Sequence, residues 1–404
     1  MTDKKKILII SEVFFPEEFL INDLAFEWIK SGFDISVLSR NPSYPNGKIY
    51  PGYKNRFFTK EKINEIDVTR VQFIPGYKRN NAIRIINYLW NMFLGMIWAI
   101  KHGGRFDHVY VYQTGPLTFS AIAVLIKKLF NKKITIWTQD VWPDTVYAYG
   151  LGRTKISKFL LEKFVKIIYS NIDNITVSSP GFIPIIEKYS KGKEITFIPQ
   201  WSLTKRVNHR NLESHHSMLP GKFNFIFAGN IGKVQNLENV ILGFNRFISQ
   251  TDESIWLNIF GEGSHFDYLQ NLVKEKSIRN IKFWGRVNSV KISDYFRNAD
   301  VLIISLDNKP IFNATVPAKF QAYINAGKPI FGVIAGEVAK LINHHELGWT
   351  ATPDDISDIA DKFRLISLSQ QDSFEKIRIN SELLTQNQFN REKLINEISK
   401  FIVD

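Results

Sequence analysis

The sequence contains no cysteine. Disulfides, thiolate nucleophiles and cysteine-ligated metal sites are therefore excluded, and the composition fits a reducing compartment. No zinc-finger, RNP or other nucleic-acid motif occurs, so nucleic acid is not an expected partner. Low-complexity tracts and solenoid-length repeats are also missing, so long disordered stretches are not expected.

A secretory signal is missing as well. The first apolar run, Ile7–Ile10, follows Lys4-Lys5-Lys6 but is too short for a signal, and Ser11-Glu12 ends it. We interpret it as a buried β-strand and expect a cytoplasmic protein. The turn after it, SEVFFPEEF, has none of the glycines that a dinucleotide pyrophosphate needs, which counts against an NAD enzyme. Glu17 and Glu18 in this turn either face an acceptor or complement a helix dipole, and both interpretations stay open.

The length and the net charge of the chain indicate its domain number and its partners. The 404 residues suit two α/β cores of about 200 residues each. The formal net charge of +13 favours a polyanionic partner, and the basic residues are spread along the chain. We expect an anionic membrane surface or a diphosphate substrate.

Short β-branched runs alternate with helical patterns, which predicts parallel, doubly wound sheets. Between Ser202 and Lys222 the pattern fails, and it then restarts. Two Rossmann-like domains facing across a cleft follow, at 1–205 and 222–385, with ligands expected at the carboxyl ends of the strands. The predicted strands are Ile7–Ile10, Asp34–Leu38, Val68–Phe73, Val109–Tyr112, Ile134–Thr138, Ile175–Ser178, Thr196–Ile198, Phe223–Ala228, Ile255–Phe260, Ile281–Trp284, Val301–Ser305 and Pro329–Val333.

The segment Ile83–Ile100 is about as long as a membrane span. Arg84, Asn87, Asn91 and Gly95 recur on one helical face, which makes the helix amphipathic rather than uniformly apolar. A buried domain helix and an interfacial membrane helix both stay open, and a true span is disfavoured.

The second half carries glycines where strands end. Gly229, Asn230, Gly232 and Lys233 lie between a strand and a helix, where backbone N–H groups and the lysine suit phosphate oxygens. Lys319 would lie in the first turn of a later helix, near its positive dipole end. A solvated surface lysine is the alternative for Lys319.

Two further groups of polar residues need a role. Asp140 begins the turn after a parallel strand, where it either orients or deprotonates a hydroxyl or caps the turn before Pro143. No residue completes a metal-ligand set with Asp140 and Asp144, so no metal is expected. The pairs His215-His216 and His344-His345 are expected in solvated loops.

Taken together, the motifs resemble retaining GT-B glycosyltransferases of family four over nearly the whole chain. They are most similar to the branch that builds bacterial O-antigen and capsule repeats, including N-acetyl-L-fucosamine transferases. The segments that carry the resemblance are NPSYPNG at 41–47, PGY at 51–53, QDVWPDT at 139–145, VSSPGF at 177–182, IPQWS at 198–202, FAGNIGKVQNLE at 227–238, FGEGS at 260–264, KFWGRV at 282–287, VPAKFQAYINAGKP at 316–329 and AGEVAKLI at 335–342.

The resemblance implies a UDP-sugar donor held by the second domain and no metal cofactor. The uracil would lie near Phe283–Val287, and the diphosphate near Gly229–Lys233 and the segment Thr315, Val316 to Lys319, with Arg286 as a further cation. The acceptor would be a sugar on a polyprenyl diphosphate at the inner face of the membrane, bound by the first domain. The last helix, 386–404, would pack back on that first domain.

The sequence departs from the family at one important pair. Two glutamates of the wider family correspond to Asn313 and Gln321 here, and Glu337 is the candidate substitute, with Gln321 positioned by the helix. The family implies front-face attack, with Lys319 and Lys233 holding the charge that develops on the phosphate. Two alternatives stay open: a UDP-sugar 2-epimerase on the same fold, and a binding or scaffold protein with a dead donor site.

Overall fold

The chain forms two compact units. In a computed structural model, the described residues are 4–45, 47–76, 81–152, 154–203, 219–251, 254–369 and 371–403. Unit 1 comprises Met1–Pro199 and Glu392–Asp404, and unit 2 comprises Gln200–Arg391. Each contains a parallel-stranded sheet with helices connecting the strands, which confirms the predicted α/β class with two Rossmann-like domains. Residues 204–218, which hold most of the predicted linker and the His215-His216 pair, lie outside the described residues.

Unit 1 is built around β1, which pairs with a neighbouring strand on each side and whose run Ile7–Ile10 is fully buried, as in a parallel sheet covered on both faces. The described strands form one sheet in the order β3-β4-β2-β1-β5-β6-β7-β8. Only β3, a strand that the sequence did not predict, runs antiparallel to its neighbour β4. The strands are β1 (Lys6–Ser11), β2 (Asp34–Arg40), β3 (Phe58–Ile63), β4 (Ile66–Val71), β5 (His108–Gln113), β6 (Lys133–Thr138), β7 (Asn174–Val177) and β8 (Ile195–Phe197).

The helices of unit 1 connect these strands, and each starts on the side of the sheet where the preceding strand ends. Their bounds are α1 (Leu20–Lys30), α2 (Asn81–His102), α3 (Ser120–Phe130), α4 (Asp144–Ala148), α5 (Lys155–Asn171) and α6 (Ile183–Ser190). The start of α5 is fixed by a capping box, in which Thr154 and Ser157 exchange hydrogen bonds between side chain and backbone.

The helix α2 is amphipathic as predicted, but its polar face points inward. Asn87 is fully buried and accepts a hydrogen bond from the Ile74 N–H at 2.7 Å, and Asn91 donates one to the Gln72 carbonyl at 2.6 Å. Gly95 lies so near α3 that a Cβ placed on it would be 2.2 Å from Cδ1 of Ile122. Among the described helices, α2 is the one long and apolar enough to cross a membrane by length and composition. One face of it is nevertheless packed within unit 1.

Unit 2 repeats the architecture, and its sheet has the order β11-β10-β9-β12-β13-β14 in the described chain. Its core centres on Phe363, whose ring lies 4.8 Å from Phe225, 5.3 Å from Phe244 and 4.9 Å from Phe331, measured between centroids. The strands are β9 (Phe223–Ala228), β10 (Ile255–Phe260), β11 (Ile281–Gly285), β12 (Val301–Ser305), β13 (Ile330–Val333) and β14 (Gly348–Ala351). The helices are α7 (Leu237–Ile248), α8 (Phe266–Glu275), α9 (Ser289–Asn298), α10 (Pro310–Asn313), α11 (Ala318–Ala326), α12 (Glu337–His344), α13 (Ile356–Ser367) and α14 (Gln371–Asn387).

The last helix, α15 (Arg391–Val403), packs on unit 1. The Trp28 indole N–H donates to the Ser399 hydroxyl at 2.8 Å, and the Thr135 hydroxyl donates to the Phe401 carbonyl at 3.2 Å. Leu394, Ile395, Ile398 and Ile402 of this helix are buried. The chain therefore returns to unit 1 after completing unit 2.

Neighbouring loops of unit 2 touch backbone to backbone, and this contact yields a prediction. A Cβ on Gly261 (φ +131°) would lie 1.8 Å from the Gly229 carbonyl oxygen, whereas one on Gly285 (φ +68°) would meet nothing within 4 Å. We expect Gly261→Ala to lower the free energy of unfolding by about 3 kcal/mol or more, because backbone strain and a backbone clash add. Gly285→Ala, the matched control, should cost only about 1–2 kcal/mol of left-handed strain. Urea unfolding followed by tryptophan fluorescence compares them, and equal losses would contradict the clash.

Candidate functional site

The carboxyl edge of the unit 2 sheet carries a glycine turn with tight backbone packing. Gly229 follows β9 directly, has φ +144°, and donates from its N–H to the Phe260 carbonyl at 3.0 Å. Gly263, in the loop after β10, lies against this turn, because a Cβ on it would be 2.3 Å from the Ile231 carbonyl oxygen. Side chains at these positions would push the two loops apart.

Lys319 lies directly against this glycine turn. A Cβ on Gly229 would be 2.5 Å from Cε of Lys319, so the lysine stem covers the turn. Its Nζ lies 3.7 Å from the centroid of the Phe227 ring and donates to Oε1 of Gln235. Burial lowers the pKa of Lys319 to about 7, and no carboxylate within the described residues pairs with it. Lys319 is also the second residue of α11, where the helix dipole favours an anion. Lys319 is therefore partly buried against the turn rather than fully solvated, and its surroundings would suit an anion.

The segment around the start of α11 uses most of its polar atoms locally. The Thr315 hydroxyl donates to the Ile311 carbonyl at 2.7 Å, and Val316 is buried. Gln321 is different, because it is 1% exposed and neither atom of its amide has a hydrogen-bond partner within the described residues. Such a group is costly to bury, and it marks a place where a ligand hydroxyl or amide would be stabilised.

Glu337 is the first residue of α12 and follows Gly336, which has φ +74°. A Cβ on Gly336 would lie 2.0 Å from the Asn313 carbonyl oxygen, so the Glu337 turn packs on the Asn313 backbone. The Glu337 carboxylate is mostly buried and lies 2.7 Å from Nζ of Lys340, one turn later. The turn that carries Glu337 thus lies against the backbone of Asn313.

The other candidates of unit 2 are placed less specifically. Lys233, Asn230 and Arg286 have exposed side chains in the turns after β9 and β11. Gly232 is buried, with the Asn230 amide 3.0 Å from where its Cβ would be. The Phe283 ring packs edge-on against Phe266 at 5.6 Å, within the core side of the sheet.

In unit 1, carboxylates collect at the carboxyl edge of the sheet. Asp140 follows β6, and burial raises its pKa to about 6, while hydrogen bonds from the side chains of Thr145 and Trp142 oppose the shift. Glu12, which follows β1, contributes a smaller repulsion that raises the Asp140 pKa further. Burial also raises the pKa of Glu12, although the Arg40 guanidinium pairs with it at 3.0 Å.

The sequence analysis missed Glu12, which it used only as the end of the first apolar run. Its position directly after a central parallel strand was the available signal. A Cβ on Gly115, in the loop after β5, would lie 2.3 Å from Oε2 of Glu12, so this carboxylate occupies the space that the glycine leaves. Glu12 therefore lies between two strand-end loops of unit 1.

Glu17 and Glu18 differ in their surroundings. Glu17 is 1% exposed, and its Oε1 accepts hydrogen bonds from the N–H groups of Ser43 at 2.8 Å and Tyr44 at 2.6 Å. It therefore holds the loop after β2 in place. Glu18 has an exposed side chain shortly before α1.

The remaining sequence candidates carry no site. Within the described ranges, no group of three or more histidine, cysteine or acidic side chains is arranged to hold a metal ion. His344 ends α12 and His345 caps it, with their rings in contact.

Comparisons with known proteins give the activity of this chain. Residues 211–382 match the family described as glycosyl transferases group 1. The chain is 24% identical over 290 residues to the probable glycosyltransferase WbjE of Pseudomonas aeruginosa, covering 69% of this chain and 72% of that protein. The protein is a glycosyltransferase.

Two further comparisons support this glycosyltransferase assignment and its fold. The putative colanic acid biosynthesis glycosyl transferase WcaI of Escherichia coli K12 is 23% identical over 315 residues, which cover 74% of this chain and 75% of that protein. The structure of Anabaena Alr3699/HepE in complex with UDP and glucose matches with a TM-score of 0.64 and 11% identity, covering 99% of each chain. The fold of this glycosyltransferase is therefore GT-B.

The raised pKa of Asp140 predicts a pH-dependent contribution to stability. The folded carboxyl keeps a proton up to about pH 6, whereas the unfolded one loses it near pH 4, so the folded state loses stability as the pH rises between these values. We expect the stability difference between Asp140→Asn and the wild type to shift in favour of the variant by about 1–3 kcal/mol from pH 4 to pH 7. Denaturant unfolding at several pH values measures this, and Asp34→Asn, which changes an exposed aspartate of the same unit, is the control. A pH-independent difference would contradict the raised pKa of Asp140.

Proposed function

We propose that this glycosyltransferase is a retaining enzyme that moves a sugar from a UDP-sugar to a sugar on a polyprenyl diphosphate. Unit 2 would bind the donor and unit 1 the acceptor, on the cytoplasmic side of the membrane, in surface polysaccharide or O-antigen assembly. WcaI, the relative named for colanic acid biosynthesis, supports this choice of pathway class. The similar structure that was solved with UDP and glucose supports the choice of donor. N-acetyl-L-fucosamine is the sugar that the motif resemblance favours.

The observation that carries the proposal is the partly buried Lys319, which lies against the Gly229 turn with Gln235 rather than a carboxylate as its partner. An ammonium that is partly desolvated and has no carboxylate partner is stabilised by a phosphate more than an exposed lysine would be. The N-terminus of α11 would add N–H donors for the same diphosphate. Lys233 and Arg286, both exposed, would reach the phosphates and the nucleoside from the rim.

The reaction then needs charge stabilisation more than a covalent nucleophile. The bond between C1 of the sugar and the diphosphate oxygen breaks, and a bond forms from the acceptor hydroxyl oxygen to C1 on the same face. The hydroxyl proton passes to the departing diphosphate, which leaves as UDP. Lys319 and the α11 N-terminus would hold the negative charge that develops on that diphosphate, so no metal is required.

Glu337 and Gln321 would contact the donor sugar in place of the two family glutamates. The Glu337 turn lies against the backbone of Asn313, the residue that corresponds to the first missing glutamate in the motif resemblance. Gln321 would supply a neutral amide at the second, and sugar hydroxyls would satisfy its two unpaired atoms. In unit 1, Asp140 would orient the acceptor hydroxyl, because a pKa of about 6 leaves it mostly ionised at neutral pH.

The first experiment is transfer by the purified protein from a panel of UDP-sugars to a GlcNAc-diphosphate-lipid analogue, read by mass spectrometry. We expect a product one sugar heavier, with kcat reduced at least about a hundredfold in Lys319→Met, since a buried cation on the leaving group is worth several kcal/mol. Lys276→Met, which removes an exposed lysine of the same unit, should retain activity.

Further outcomes of this assay decide between the alternatives. Unchanged turnover in Glu337→Gln would remove Glu337 from the mechanism. No product from any donor, with a donor epimerised in the absence of acceptor, would overturn transfer in favour of the epimerase. Failure of the protein to bind any uridine nucleotide would favour a binding or scaffold protein.

Nucleotide binding should also be coupled to a proton. Free Lys319 has a pKa of about 7, and a bound diphosphate raises it, so UDP binding takes up a proton above that pH. We expect the affinity for UDP to fall by up to about tenfold per pH unit from about pH 7 to about pH 9. Calorimetry in two buffers of different ionisation enthalpy counts the protons. The coupling should vanish in Lys319→Met and persist in Lys276→Met, and equal proton uptake in both variants would assign it elsewhere.

A further inference from the structure

The outward face of α2 is apolar along its whole length. Its large exposed apolar side chains, each about half accessible, are Ile85, Ile86, Leu89, Phe93 and Ile100. From Ile86 onwards they recur at spacings of three, four and seven residues, which places them in one stripe. At about 1.5 Å per residue, the helix is about 33 Å long. Its asparagines point inward, so its polarity is the reverse of that of an ordinary surface helix. No described residue covers this stripe, and exposed apolar patches of this kind mark interaction sites.

A second apolar face lies on α5. Val165, Ile168 and Tyr169 of this helix are buried, as a domain helix requires. The side facing solvent nevertheless carries Ile156 at 73%, Phe159 at 64%, Leu160 at 58% and Ile167 at 42% exposure. Exposed lysines are interleaved with these side chains, namely Lys155, Lys158, Lys163 and Lys166. Apolar side chains alternating with lysines are typical of helices that lie in a membrane interface.

The two faces belong to the same layer of unit 1. The helix α2 packs on α3, and α3 packs on α5, while the strand order places all three crossovers on one side of the sheet. Both exposed faces lie opposite the buried faces of their helices, so they point away from the sheet. Phe57 extends the apolar surface, because its ring lies 6.1 Å from Trp90, which in turn lies 5.9 Å from Phe93.

The layer formed by α2, α3 and α5 also lies near Asp140, the residue expected to orient the acceptor. Both α2 and α5 start at the carboxyl edge of the sheet, where Asp140 follows β6. Arg84, in the first turns of α2, and Asp140 both act on the phenol of Tyr149, one lowering and the other raising its pKa, so the three groups are neighbours. Lys158 of α5 lies 5.5 Å from the ring of Tyr147 in α4, the helix that follows Asp140.

We propose that the outward faces of α2 and α5 form a docking surface that seats unit 1 in an anionic lipid bilayer, with the Asp140 edge at the headgroups. The inference deepens the proposed function, since it names the surface by which a lipid-linked acceptor would reach the enzyme. Charge decides the occupant. A second copy meeting this surface across a two-fold axis would bring the α5 lysines of both copies together, whereas anionic lipids neutralise them.

Flotation with phosphatidylcholine vesicles, with and without phosphatidylglycerol, tests the docking surface. We expect wild-type protein to float with the anionic vesicles. Leu89→Glu/Phe93→Glu should lower its partition coefficient at least about tenfold, because two charges would have to enter the interface. Leu365→Glu/Leu368→Glu, which changes two comparably exposed leucines at the end of α13 in unit 2, should bind like the wild type. Lys155→Glu/Lys163→Glu should lower the partition coefficient at least about fivefold, and only on the anionic vesicles.

The readouts separate this proposal from the proposed reaction. Thermal unfolding and UDP binding confirm that each variant is folded, and a water-soluble acceptor analogue measures transfer without any membrane. Vesicle binding by Leu89→Glu/Phe93→Glu equal to that of the wild type overturns the docking surface, even if transfer proceeds. A wild-type dimer that does not bind vesicles and becomes monomeric in this variant overturns it in favour of a second copy. Membrane binding as expected, without transfer to any acceptor, would leave the surface established and the proposed function refuted.

Discussion

In a parallel sheet, the carboxyl ends of the strands lie near one edge, and the sites of both units depend on this constraint. In unit 2 the loops after β9 and β10 emerge so close together that their backbones touch, and Gly229, Gly261 and Gly263 are the residues that permit it. The Lys319 stem then fills the space over the first of these turns. The position of the cation is therefore a consequence of strand order and of missing side chains, more than of attraction to an acidic group.

Burial shifts the pKa values of acidic groups in unit 1 and of a basic group in unit 2. Burial in unit 1 raises the pKa of Asp140 and of Glu12, so the sheet edge there disfavours negative charge. Burial in unit 2 lowers the pKa of Lys319, so the edge there disfavours a positive charge that stays unpaired. In the free protein, burial therefore disfavours the charged form of each group, and a ligand of complementary charge would stabilise that form.

The sequence was enough to predict the two parallel sheets, because buried parallel strands are continuous apolar runs such as Ile7–Ile10 and Phe223–Ala228. It did not reveal β3, whose Lys and Glu side chains look like a loop but suit the exposed edge of a sheet. The strand β14 was also missed, because a run of four residues that begins with a glycine looks like a turn. Periodicity identified the stripe of Asn87, Asn91 and Gly95 on α2, but not its direction. Only the partners, the backbone at Gln72 and Ile74 and the side chain of Ile122, show that the polar face is the buried one.

The return of α15 to unit 1 makes the second unit an insertion within the first. Unit 1 is assembled from two stretches separated by 192 residues, and Trp28 and Thr135 from the first stretch hold Ser399 and Phe401 of the second. A single recombination event in the middle of the gene would therefore separate the first unit from the helix that completes it. Exchange of the whole second unit between relatives requires two crossovers, one on each side of the insert, and the natural module for such shuffling is the inserted unit rather than the C-terminal half.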